Sequence, residues 1–207
     1  MKKQKTIITV IVMLLLVIGV GIAFWQVMES KRTQSQEETR SKIEEVNDIL
    51  SKDFDTAYPG TPREVVKMYS RISSCLYNHS LSDSEMESLV KKMRELFDAE
   101  LLEANPLEEQ LEDLRADKEE YDKARRIISS YTVDKNSSVV KKEVDGVEYA
   151  SLCVAYLVKE GKSYNKSNQQ FMLRADEKGN WKILGWQLVT DDDAADQTEE
   201  DSVEEQK

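Results

Sequence analysis

The chain has 207 residues, 33% of them charged, with a formal net charge of -11, one histidine and two cysteines. Once an apolar amino-terminal run and polar tails are set aside, this length suits one small domain. The acidic balance argues against nucleic acid as a partner, because like charge repels a phosphate backbone, and a lone histidine with two distant cysteines does not supply the converging donors of a zinc centre.

Residues 7–27, from Ile7 to Val27, carry no charged side chain and close on Phe24 and Trp25. As a helix this run measures about 30 Å, the thickness of a bilayer core, and predicts a single transmembrane helix. Lys2, Lys3 and Lys5 precede it, whereas Lys31 and Arg32 are offset by Glu29, Glu37 and Glu38. That bias puts residues 1–6 in the cytoplasm and the body outside it, at the cell membrane. Gly21-Ile22-Ala23 leaves a cleaved secretory signal as the alternative, but the run exceeds a signal core and its aromatic pair suits an interfacial belt.

Residues 28–60 read as a juxtamembrane linker with a short helix, whose stripe is Ile43, Val46, Ile49 and Leu50, ending at Tyr58-Pro-Gly-Thr-Pro. The folded domain is expected over 61–190. Residues 191–207 hold nine acidic residues and one lysine, with few apolar ones to bury, and predict a disordered tail.

Three helices announce their starts. Thr61-Pro62-Arg63-Glu64 and Ser82-Asp83-Ser84-Glu85 have the capping-box pattern, and Asn105-Pro106-Leu107-Glu108 repeats it. Apolar stripes follow each: Val65, Val66, Met68, Tyr69, Ile72, Cys75 and Leu76; then Met86, Leu89, Val90, Met93, Leu96 and Phe97; then Leu107, Leu111, Leu114, Tyr121, Ala124 and Ile128. His79 falls just past the first helix.

The period then becomes alternating. Val139 to Val144, Val147 to Val158, Ser163 to Arg174 and Trp181 to Val189 read as strands, with Ser129 to Val133 as a further one. Asp145-Gly146 is a two-residue hairpin signal. Setting Glu148, Arg174 and Lys182 toward water turns Tyr149, Ser151, Cys153, Ala155, Leu157, Phe171, Leu173, Trp181, Ile183 and Gln187 toward the helices. On that assignment Cys75 and Cys153 either meet as a disulfide or stay as two buried thiols. Leu184, Trp186 and Leu188 then form an apolar outer face, expected to meet the 43–50 stripe or another subunit. The fold class is α+β: a transmembrane helix, then one domain of three helices on a curved antiparallel sheet.

The helix opening Thr61-Pro-Arg-Glu-Val-Val, two more helices, a hairpin and the last strand Gly-Asn-Trp-Lys-Ile-Leu-Gly-Trp-Gln-Leu-Val resemble the nuclear-transport-factor-2-like superfamily of cone-shaped α+β barrels. More narrowly, they resemble an uncharacterised group of membrane-anchored proteins from Gram-positive anaerobes. The resemblance implies a conical cavity, for which Tyr69, Tyr149, Trp181 and Gln187 are the expected lining. It also implies that catalytic relatives work through a buried Asp or Asp-His pair, a signature these strands lack. The expectation is a non-catalytic ligand- or protein-binding module without metal or cofactor. The alternative is a homodimeric or envelope-bound assembly part similar to the inner-membrane factors of conjugative secretion systems.

Overall fold

The computed structural model describes residues 40–189. It divides into a unit ending at Glu45 and a unit beginning at Val46. Of the first, residues 40–45 are helical and carry an Arg40–Glu44 ion pair at 2.8 Å.

Helix α1 covers residues 40–50. Its Val46 and Ile49 are buried in the core of the second unit, as is Phe54 beyond it, so packing starts well before the expected boundary at residue 61. Tyr58 fixes the end of this arm by donating its hydroxyl to the Trp181 carbonyl at 2.9 Å.

Helix α2 (Pro62–Asn78) starts as the sequence dictates, with Thr61 accepting from the Glu64 amide and proline at the first turn. Helix α3 (Asp83–Arg94) has the full reciprocal box between Ser82 and Glu85. Helix α4 (Ala99–Ala104) was not anticipated; Asp98 caps it by accepting from Glu100. Helix α5 (Leu107–Ala124) departs from expectation at its start. Its N-cap is Pro106, which has no side-chain oxygen to offer, while Asn105 closes α4. It ends on Arg125 in the left-handed region at φ 52°.

Five strands follow: β1 (Arg126–Val133), β2 (Val140–Val144), β3 (Val147–Glu160), β4 (Ser163–Ala175) and β5 (Trp181–Val189). The order is β1-β3-β4-β5, with β2 continuing beside β3 where β1 leaves off; all pairings among them are antiparallel. Asp145 and Gly146 both have positive φ, 51° and 80°, as a type I′ turn requires. The core lies between the helices and one face of the sheet, built on Ile72, Leu76, Leu89, Leu96, Phe171, Leu173 and Ile183.

The fold class needs correction. Among the described residues no helix is long and apolar enough to cross a membrane, because each is interleaved with charged residues. What is described is an α+β fold with five α-helices, one more than the linker helix and three domain helices expected, and a five-stranded antiparallel sheet. The run over residues 7–27, the end at 1–6 and the acidic tail at 191–207 lie outside the described residues.

Two strand assignments are also corrected. In β3 the buried residues are Ala150, Leu152, Val154 and Tyr156, the opposite parity to that expected. Glu148 shares that helix-facing parity but sits in the hairpin, exposed, so its charge misreports the strand. In β5 a bulge intervenes: Met172 pairs with Gly185 and Leu173 with Ile183, leaving Leu184 as the extra residue. Trp181 and Ile183 stay inward, but past the bulge the parity flips. Trp186 then pairs with Phe171 on the helix-facing side, and Gln187 pairs with Gln170 on the other.

Candidate functional site

The helices and the sheet part toward the carboxyl-terminal half of α2, leaving a cavity of about 300 Å³. Helix α2 contributes Tyr69, Ser73 and Tyr77 at spacings of four, so all three lie on one face. Helix α5 contributes Asp117 and Tyr121 at the same spacing. The sheet supplies Ile128, Tyr156 and Val158, then Ser167 and Gln169, and finally Trp186. Tyr69, Ser73 and Tyr156 are buried; Tyr77, Tyr121 and Gln169 are half-buried, and Asp117 is exposed at the mouth.

Side chains hold one another in place around the cavity. Tyr156 and Ser70 share a hydrogen bond of 2.7 Å between hydroxyls, and Tyr77 donates to Asp117 at 3.3 Å. The Asn78 amide holds the wall residue Ile128, accepting from its amide at 2.8 Å and donating to its carbonyl at 2.9 Å. It thereby acts as a strand partner beside the bulge at Ile128 and Ser130. Tyr69 packs edge-on against Phe171 at 5.2 Å between centroids and lies 5.1 Å from Trp186, while Tyr77 and Tyr121 are 4.6 Å apart.

Burial governs the acidity of these phenols. Desolvation is the main cause that pushes Tyr156 up to about 12 and raises Tyr69 and Tyr77 far above the ordinary phenol value. They keep their protons at neutral pH and serve as neutral hydrogen-bonding groups. No group of histidine, cysteine and carboxylate side chains suited to hold a metal ion occurs among the described residues.

Residues 1–186 match the family described as Domain of unknown function (DUF6715). The chain belongs to that family. No curated protein matches it.

Within this DUF6715 chain the expected lining residues fall in four different places. Tyr69 is in the cavity wall. Tyr149 is on the opposite face of the sheet, where the inverted β3 parity puts it, beside Val140, Val144 and Met172 in an apolar trough of about 310 Å³. Trp181 is buried in the core, with Lys141 Nζ 4.9 Å from its ring centroid. Gln187 donates to Gln170 at 3.1 Å on the sheet's outer side.

The expected apolar face of Leu184, Trp186 and Leu188 is split by the bulge. Trp186 enters the cavity wall, 39% exposed, and Leu188 extends beyond it, 73% exposed. Leu184 is the bulge residue itself. No disulfide joins Cys75 to Cys153: the first is buried on α2, and β3 turns the second to the far face of the sheet. The Cys153 amide donates to Asp134 at 2.8 Å, and burial raises the thiol's pKa.

Sequence reading missed Tyr77, Asp117 and Tyr156 as wall residues. The four-residue spacing of Tyr69-Ser73-Tyr77 and of Asp117-Tyr121 was the available signal.

Proposed function

We propose that this domain is a non-catalytic binding module that takes a small organic molecule into the cavity between α2, α5 and the sheet. The observation that carries this reading is the composition of that wall: aromatic rings over a few separated polar groups, the usual make-up of a small-molecule pocket. Binding is favoured over turnover because the buried phenols hold their protons and are engaged with serine and carboxylate partners. Helices followed by an antiparallel meander, with a cavity between them, support the reading of a nuclear-transport-factor-2-like cone.

A thermal-shift screen of the full-length chain tests the proposal. A ligand that binds only the folded state raises its stability by mass action, about 2.7 kcal/mol at a hundredfold excess over Kd. Ser167→Phe, placed at a half-buried wall position, fills the cavity and should abolish the shift while leaving the circular dichroism spectrum unchanged. A shift that survives this substitution would put the ligand elsewhere.

A further inference from the structure

We infer that the cavity's ligand class is an organic cation, of quaternary-ammonium or amine type; this rests on the cavity being a binding site. Among the described residues lining it, Asp117 alone carries a formal charge, and that charge is negative. An anionic ligand would meet no cationic side chain among the described lining residues, whereas a cation gains the carboxylate at the mouth. The walls supply the second element of cation recognition. Tyr69, Tyr77, Tyr121 and Trp186 surround the space, and aromatic faces attract cations through their quadrupole.

Two neighbouring cations are already engaged. Arg126 lies over the Tyr121 ring, 5.9 Å from its centroid, with its guanidinium held by Glu160 at 2.8 Å. Lys118, next to Asp117 in the chain, is bound to Asp122. Asp117 accepts the Tyr77 hydroxyl at 3.3 Å, a contact that orients the carboxylate without cancelling its charge. The chain's net charge of -11 adds a long-range field that favours cations over anions in solution.

The test titrates the full-length chain calorimetrically with choline and with 3,3-dimethyl-1-butanol, its neutral carbon isostere. Choline should bind at least about tenfold more tightly, the equivalent of 1.4 kcal/mol. Asp117→Asn should remove most of that preference by weakening choline alone. Tyr77→Phe, which keeps the ring and loses only the hydroxyl contact, should retain choline affinity within about twofold, showing that charge and ring carry recognition. Equal affinity for the two compounds, or an Asp117→Asn variant that binds choline as before, overturns the cation assignment. If both probes fail but the thermal-shift screen finds a neutral or anionic compound whose effect Ser167→Phe removes, the cavity stands and the cation class falls. If no compound of any class binds, both fall.

Discussion

Arg174 illustrates how one side chain ties distant segments together. Its guanidinium donates to both Asp98 oxygens, at 3.1 and 2.6 Å, and to Glu100 at 2.8 Å, thereby clamping α4 to β4. Asp98 is only 5% exposed, caps α4 and donates its amide to the Ile183 carbonyl of β5 at 2.8 Å. Removing the arginine leaves a desolvated carboxylate with its backbone contacts alone. Truncating one partner of a buried pair is costly chiefly because of the charge left behind. Arg174→Met should therefore lower unfolding free energy by about 3 kcal/mol in urea titration. Arg174→Met combined with Asp98→Asn should be less destabilised than the single arginine variant, since the orphaned charge is gone. Additive losses in the double variant would show that the pair is not acting as a unit.

At the scale of elements, caps and turns carry the local instructions, and they differ in weight. Ser82 makes both halves of a capping box, so Ser82→Ala should cost about 1 kcal/mol. Asn105, which the same sequence pattern marked as a cap for α5, makes no such bond there; it donates to the Leu101 carbonyl at 3.0 Å and closes α4. Asn105→Ala should cost clearly less than Ser82→Ala in the same denaturation series. The comparison shows where sequence was legible. The α2 and α3 starts, the Asp145-Gly146 turn and the extents of β2 to β5 followed, to within two residues, from residue chemistry acting over a few positions; β1 did not, since it begins at Arg126 and takes in Ile128, which the periodicity had placed on the third helix. Strand parity did not, because both faces of β3 carry apolar residues and Glu148 lies at the hairpin, beyond the helices' cover. The bulge at Leu184 was also invisible, since its apolar neighbours read equally well in either register. Those two parity errors account for the cavity: they hid Tyr156 and Trp186 and offered Tyr149 and Gln187 in their place.

For the second unit as a whole, buried phenols make its stability sensitive to alkali. Tyr58, Tyr69, Tyr77 and Tyr156 all have pKa values raised, primarily by desolvation, above the ordinary phenol value near 10. A raised pKa in the folded state means that folding favours the protonated phenol. The associated stability is fully present below pH 10, where folded and unfolded chains are both neutral. It is lost as pH rises, because the unfolded chain ionises first and the folded chain follows only above its own higher value. For Tyr156 alone, moving from 10 to about 12 corresponds to roughly 3 kcal/mol. The Cys153 thiol, also raised by burial, acts in the same direction from a lower starting point. Lys182 opposes them. Burial lowers its pKa, so folding disfavours its charged form, and that penalty is relieved as pH rises; one partly exposed lysine does not outweigh four phenols. Urea midpoints should therefore hold level from pH 7 to about 9 and fall steeply between 10 and 12. Tyr156→Phe removes one titrating group and should flatten that fall, although it begins from lower stability because Ser70 loses its 2.7 Å partner. A midpoint that stays constant through pH 11 would mean that water reaches these hydroxyls as readily in the folded chain as in the unfolded one, against the burial that raises their pKa values.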